Sequence, residues 1–399
     1  MHYSTLLAIL PALAVASPLS TQAKRDVPAP LLKPRGATIL ADKYIVKMKD
    51  GLRASTFQST ISTYASKADH VYELSHMRGF AGTLTSEELQ ALRDDPDVDY
   101  IEHDAVMRKF GVQNNAPWGL ARLSSDFPGA SSYAYDDSAG AGTCAYVVDT
   151  GIDVNHPDFG GRATWGSNFV DNDNTDGDGH GTHVAGTIGG TTYGVAKETS
   201  LYAVKVLDAN GFGSNSGVIA GMEYTVTDSA RRSCPNGVVV NLSLGGGYSA
   251  AVNAAAAAIV DSGIFLAVAA GNEAQNAGNV SPASEESVCT VGATTASDSL
   301  ASFSNYGSVV DILAPGDRIE SALPGGSSGS FSGTSMASPH IAGLAAYLLA
   351  LGGAPSDPVG LCSHIADTAI QGTISGVPSS TVNLLANNNF AGRNYTVAN

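Results

Sequence analysis

From residue 115 onward the chain repeats one arrangement: a short continuous apolar run, a glycine-rich loop, then a stretch of helical composition. The runs fall at residues 145–148, 201–207, 238–242 and 264–269, with helix-like stretches such as 250–260 between them. An unbroken apolar run, in place of an alternating one, marks a strand buried on both faces. Such strands alternating with helices predict a parallel sheet covered on both sides. Ligands of these sheets bind beyond the C-terminal ends of the strands, so chemistry is expected in the loops that follow the runs.

The first part of the chain has a different rhythm. Residues 42–107 read as a small α+β unit, with strand character at 43–48 and 99–102 and a helix over 86–93 that opens on Glu87-Glu88. Residues 17–41, rich in Pro, Lys and Arg, read as a linker. Ahead of them, residues 6–16 form a short apolar run closed by Ala14-Val15-Ala16, and residues 1–16 are therefore expected to be a secretory signal peptide. No later apolar stretch is expected to span a membrane.

Charge sharpens this division. Residues 1–110 carry 13 basic and 13 acidic side chains, whereas the remainder carries 8 and 24, so the whole net charge of −16 lies in the second part. So acidic a surface repels nucleic acid and anionic membranes, which argues against both as partners. The four cysteines, Cys144, Cys234, Cys289 and Cys362, show no Cys-x-x-Cys spacing, and behind a secretory signal they favour two disulfides among three possible pairings. Sequons occur at Asn241, Asn279 and Asn394; the first sits in an apolar run and is expected to be buried, leaving Asn279 and Asn394 as glycosylation candidates.

Three segments carry the chemistry. The run 145–148 ends in Asp149-Thr150-Gly151, which puts a carboxylate at a strand's C-terminal end. Asp178-Gly179-His180-Gly181-Thr182-His183 is a glycine-rich loop opening a helix, and Gly333-Thr334-Ser335-Met336-Ala337-Ser338-Pro339-His340 leads into a second, apolar helix over 341–351. Helix starts have unpaired N–H groups that stabilise negative charge. Acyl transfer needs a nucleophile, a base to take its proton and a carboxylate to orient the base, and Ser335, His180 and Asp149 supply these roles.

These residues, in the order Asp, His, Ser, resemble the subtilisin-like serine proteases, and most of all the proteinase K group. The resemblance runs from Ala116-Pro117-Trp118 to the end of the chain, and residues 42–107 resemble the family's inhibitory propeptide. It implies a three-layer α/β/α sandwich with a mostly parallel sheet, preceded by a small α+β propeptide domain. The expected division is signal peptide 1–16, propeptide 17–110 and peptidase domain 111–399. The implied protein is a monomeric, secreted serine endopeptidase that acts on proteins and peptides and is held silent by its own propeptide. In the motif Ala269-Ala270-Gly271-Asn272, Asn272 is the implied oxyanion donor. Gly211, Phe212 and Gly213, with Ser243, Leu244 and Gly245, are the implied edges that clamp an extended peptide. Leu244-Gly245 with Ala269 and Gly271 would wall a roomy apolar S1 pocket that prefers large apolar or aromatic P1 residues.

The resemblance also implies disulfides Cys144–Cys234 and Cys289–Cys362, with Val184 standing where the related enzyme has a free cysteine. No cofactor is implied for catalysis. A structural Ca²⁺ is implied at the Asp311 carboxylate and the carbonyls of Glu286 and Val288; at a second, weaker site the expected aspartate is Thr373, and Asp126 stands where the family has threonine. Maturation is expected after Phe110, with Phe110 in S1 and Met107 in S4, or alternatively by another protease at Arg108-Lys109.

Other chemistries compete for the same residues. Asp149-Thr150-Gly151 and Asp261-Ser262-Gly263 both fit the aspartic-protease tripeptide, but Asp261 ends a predicted helix whereas that dyad needs two matching β loops. Asp178, His180 and His183 are residue types that bind zinc, yet no further Glu or Cys stands where zinc would need it, and His183 reads as structural. A peptide-binding descendant without activity finds no support, since every catalytic position is filled.

Overall fold

The computed structural model describes residues 25, 27–34, 39–106 and 110–390. The chain divides into two compact units, Met1–Val106 and Met107–Asn399. The expected signal peptide, Met107, the Arg108-Lys109 pair and Asn394 lie outside the described residues.

The first unit contains β1 (Leu31–Leu32), β2 (Ile39–Met48), α1 (Ala54–Tyr64), β3 (Ala68–Leu74), β4 (Met77–Thr83), α2 (Ser86–Asp94) and β5 (Val98–Ala105), in a five-stranded sheet ordered β1-β5-β2-β4-β3. Alternate residues of β2, Tyr44, Val46 and Met48, enter a small core with Phe57 of α1 and Leu92 of α2. Thr85 and Glu88 cap α2 reciprocally, each side chain bonding the other's backbone N–H. The predicted linker is partly structural: Leu31 and Leu32 pair in parallel with Ile101 and Glu102, and Ala29 is fully buried. Two residues are too few to show a period, so only the tertiary pairing reveals that strand.

The second unit begins with β6 (Phe110–Asn114), α3 (Trp118–Leu123), β7 (Ser132–Asp136), β8 (Cys144–Asp149), β9 (Ala163–Asn168) and α4 (His180–Gly189). It continues with β10 (Ser200–Lys205), α5 (Asn215–Ser229), β11 (Val238–Leu242), β12 (Gly246–Gly247), α6 (Ala250–Asp261), β13 (Phe265–Ala269), β14 (Val280–Ser281) and β15 (Cys289–Thr294). The last elements are β16 (Ile312–Pro315), the hairpin β17 (Ile319–Leu323) and β18 (Ser327–Phe331), α7 (Thr334–Leu351), α8 (Pro358–Asp367), β19 (Ile370–Gln371) and β20 (Leu384–Leu385). Nine strands form one sheet, ordered β19-β20-β16-β15-β13-β11-β8-β10-β9, parallel except at β19.

The continuous apolar runs are these central strands, and their side chains serve two cores. Ala145 and Val147 of β8 face α4 and α7, whereas Cys144, Tyr146 and Val148 face α5 and α6. The three layers follow from that alternation. Chain order reverses at β8, whose neighbours are β10 and β11, so Asp149 emerges at the switch point of the sheet.

Two expectations change here. The predicted helix over 341–351 begins at Thr334, so the Ser335 motif is itself helical and Pro339 lies inside α7. At 18 residues and a mean hydropathy of 1.2, α7 does reach the length and composition that cross a membrane, but 78% of it is buried inside the protein, where it serves as the core helix. Its all-round apolarity is what full burial demands.

The disulfides Cys144–Cys234 and Cys289–Cys362 are both formed, with Cα–Cα separations of 5.6 and 5.8 Å, and no free cysteine remains among the described residues. Asn241 is fully buried, as its apolar surroundings predicted. Phe110 pairs with Asp136 and Gly111 with Tyr135 in the β6–β7 ladder.

Candidate active site

Asp149, His180 and Ser335 stand at the end of β8, the start of α4 and the first turn of α7. His180 Nδ1 donates to Asp149 Oδ1 at 2.7 Å, and the same oxygen accepts the Thr150 N–H at 2.7 Å. Asp149 is fully buried, and its Oδ2 has no hydrogen-bond partner among the described residues. Burial alone would lower the pKa of His180, but the charge and hydrogen bond of Asp149, with Asp178 and Asp176 nearby, hold it above its ordinary value. Two glycines permit this approach. A Cβ on Gly181 would lie 2.1 Å from the Gly151 carbonyl oxygen, and Gly151 itself takes a φ of +113°.

Ser335 Oγ donates to the Ser243 carbonyl at 3.0 Å, and Ser243 Oγ donates to the Ser335 carbonyl at 2.7 Å. The second bond exists because of Pro339: four residues after Ser335, it has no N–H to give that carbonyl. Behind the pair, Ser338 Oγ donates to Asn241 Oδ1 and Asn241 Nδ2 donates to Ser243 Oγ, at 2.7 and 2.9 Å. The cleft edge and the serine helix are thus joined through buried polar groups that satisfy one another.

Asn272 is fixed by its oxygen. Its Oδ1 accepts the Thr334 N–H at 2.7 Å and the Thr334 hydroxyl at 3.0 Å, which leaves Nδ2 as the donor available to the exposed side. Asn305, fully buried, shapes this loop by donating to the Ala270 carbonyl and Glu273 Oε2 while accepting the N–H groups of Glu273 and Gln275. A Cβ on Gly271 would meet Asn305 Nδ2 at 2.3 Å.

Two adjoining clefts share Leu244, Gly245, Gly246 and Gly247. The larger, about 360 Å³, adds His180, Ser243, Gly211, Phe212 and Gly213, with Leu207, Val218 and Val252 as an apolar end. The smaller, about 270 Å³, adds Ala269, Gly271, Asn272 and Ser335. Its walls depart from the apolar expectation, since Glu273, Gln275 and Asn279 line it too. Asn279, a glycosylation candidate, is exposed and lines this cleft, and its sequon serine, Ser281, is buried and bonded to Ser249.

Asp311 lies apart from the cleft, beside the disulfide Cys289–Cys362. Burial pushes its pKa up to about 6, against the opposing hydrogen bond from the Thr290 N–H. The disulfide sulfurs are not ligands. His183 is fully buried, its Nε2 bonded to the carbonyls of Ile319 and Gly329 and its ring stacked on Phe331, so it ties α4 to the β17–β18 hairpin. Asn305, Glu273 and Asp176 carry no sequence motif, and Asn241 stands out in the sequence only as a buried sequon, not as a support for the serine helix. Asp176 alone gave a hint, as an acid just upstream of a helix start.

Comparison with known proteins agrees with this architecture. The subtilase family model matches residues 140–388, and the peptidase inhibitor I9 model matches residues 43–109. A cuticle-degrading protease of Metarhizium anisopliae is 57% identical over 390 residues, covering 97% of this chain and all of its own. Proteinase R of Parengyodontium album is 52% identical over 98% of this chain and 100% of its own; proteinase T of the same organism is 61% identical over 73% and 98%. The crystal structure of a cold-adapted subtilisin-like serine proteinase superposes with a TM-score of 0.65 at 44% identity, covering 69% of this chain and 99% of that one. The chain therefore belongs to the subtilase family and is a subtilisin-like serine endopeptidase of the proteinase K group, carrying an I9 inhibitor propeptide.

Proposed function

We propose that Ser335 is the nucleophile, His180 the general base and Asp149 its orienting carboxylate. The observation that carries this is the 2.7 Å bond from His180 Nδ1 to Asp149, which fixes the tautomer and leaves Nε2 as a base on the cleft side. Ser335 Oγ turns from the Ser243 carbonyl to His180 Nε2, attacks the scissile carbonyl as the proton moves to the ring, and the tetrahedral oxyanion is met by Asn272 Nδ2 and the Ser335 N–H. The imidazolium then gives its proton to the leaving amine, and water repeats the sequence on the acyl-enzyme. No cofactor takes part.

Extended peptide substrates lie between the loop segments Gly211–Gly213 and Ser243–Gly245, pairing with their backbones as an added strand would. The cleft walled by Ala269, Gly271 and Leu244 admits large apolar or aromatic P1 residues, and Glu273 offers a carboxylate to a long basic one. The protein is read as a secreted monomer whose propeptide inhibits it until it is cut away after Phe110. Because Phe110–Asn114 is the edge of a ladder with Ser132–Asp136, that cut requires β6 to pair only afterwards. Asp311 fits a structural Ca²⁺: a buried carboxylate with a raised pKa gains from a cation, and the carbonyls of Glu286 and Val288 would complete a hard-oxygen set.

Ser335→Ala is expected to secrete as an uncut precursor that hydrolyses no peptide and takes up no fluorophosphonate label. Hydrolysis above background by that variant would overturn the triad. The N-terminus of the mature wild-type protein, read by mass spectrometry, should be Gly111; a start at Phe110 would show processing by another enzyme after Lys109.

A further inference from the structure

The loop before His180 buries a carboxylate that the reaction itself does not use. Asp176 is 7% exposed and accepts four hydrogen bonds. Its Oδ1 takes the Thr150 hydroxyl at 2.7 Å and the Gly179 N–H at 2.8 Å, while Oδ2 takes the Thr182 N–H at 2.8 Å and the Thr182 hydroxyl at 2.5 Å. All its acceptor positions are therefore in use. The donors come from two segments that are distant in sequence, the loop after β8 and the first turn of α4.

Both hydroxyls extend the joint. Thr150 Oγ1 accepts the Gly181 N–H at 2.9 Å, and Thr182 Oγ1 accepts the Asp153 N–H at 2.9 Å. Lys205, 2% exposed, donates to the carbonyls of Thr150 and Thr175 at 2.8 and 3.2 Å, holding together the residues that precede Gly151 and Asp176. A simple helix cap would bond only N–H groups of its own helix. Asp176 instead spends half its capacity on hydroxyls, one of which belongs to the neighbour of Asp149.

We propose that Asp176 is a positioning residue for the hydrolysis, holding the His180 turn of α4 against Thr150 so that the Asp149–His180 bond is preset before substrate arrives. This rests on the triad assigned above. The bond between Asp149 and His180 borders an open cleft and joins two side chains, whereas the Asp176 joint is buried and mostly backbone-anchored. The joint therefore sets the distance and the bond follows. The groups facing His180 are Asp149 at the end of β8, Asp178 and Asp176 in its own loop, and His183 on the next turn. The three carboxylates favour its protonated form, whereas His183, pushed down to about 4 by burial, carries no charge where His180 titrates. Removing the Asp176 charge should therefore lower the acid limb of the rate profile.

The test compares mature Asp176→Asn, Thr150→Val and Thr150→Ser with wild type, each normalised to active sites titrated by fluorophosphonate. Asp176→Asn is expected to lower kcat about 10- to 100-fold, the scale of a sub-ångström misalignment, with KM within about two-fold. Its acid limb in kcat/KM against pH should move to lower pH. Thr150→Val should lower kcat with the acid limb in place, because every carboxylate remains, and Thr150→Ser should restore kcat by returning the hydroxyl. Wild-type kcat and an unmoved acid limb in Asp176→Asn would overturn the proposal, as would losses that merely track melting temperature. If Asp176→Asn does not accumulate, the threonine pair decides, and equal kcat for Val and Ser would overturn it. Failure of the triad reading is separate, since wild type would then lose neither label nor activity on Ser335→Ala substitution.

Discussion

Acidification should destabilise the peptidase unit through two buried histidines outside the reaction. His183 is fully buried and His340 is 1% exposed, and burial pushes both pKa values down to about 4. The unfolded chain takes up protons at an ordinary histidine pKa near 6.5, so between that value and about 4 it binds protons that the folded state refuses. Stability from these sites is full above pH 6.5 and falls as the pH drops. At pH 5 each site costs about 2 kcal/mol relative to pH 7, or about 4 kcal/mol for the pair. Asp311 opposes this: raised to about 6, it takes up a proton when folded and returns about 1 kcal/mol over the same interval when no cation holds it. His180, held above its ordinary value, also favours the folded state in acid. The assay is denaturant unfolding of Ser335→Ala, which on the proposed mechanism does not digest itself, followed by tryptophan fluorescence at pH 7 and pH 5. Trp118 and Trp165 are the chain's only tryptophans and both belong to the peptidase unit, so the signal ignores the propeptide. His183→Gln and His340→Gln should each remove about 2 kcal/mol of the pH-dependent loss, whatever they do to absolute stability. Variants that lose as much between pH 7 and pH 5 as their parent would refute the assignment.

Other consequences can be measured separately. Arg122 and Asp298 form a buried bidentate pair, with bonds of 2.9 and 3.0 Å, so Arg122→Ala should cost about 3–5 kcal/mol in unfolding free energy by stranding the carboxylate; a loss under about 1 kcal/mol would contradict this. Glu273→Gln should cut kcat/KM for P1 lysine relative to P1 leucine about five-fold, the effect of a partly solvated charge pair, and an unchanged ratio would remove Glu273 from the P1 contact. Excess chelator should lower the melting temperature of the wild type, and Asp311→Asn should erase that difference; a chelator-insensitive wild type would dismiss the cation.

The chain itself specified much of this protein. Continuous apolar runs announced a sheet buried on both faces, because only such strands can be apolar on both sides, and Asp149-Thr150-Gly151 and the His180 loop appeared where that sheet binds ligands. Local spacing could go no further than the segments it spans. That α7 begins at Thr334 was hidden by Pro339, which reads as a breaker until Ser243 is found bonded to the carbonyl it leaves open. Leu31-Leu32 looked like linker because its partner strand lies some seventy residues away. Glu273 lines the smaller cleft with its carboxylate held by Asn305, and Asp176 became a joint only when folding brought Thr150 and Thr182 to its two oxygens. Motifs record the groups that react, since these must be particular residue types at particular loop ends. Holding those groups at the right distance falls to polar side chains scattered along the chain, and their roles exist only once long-range packing has brought their partners within hydrogen-bond reach.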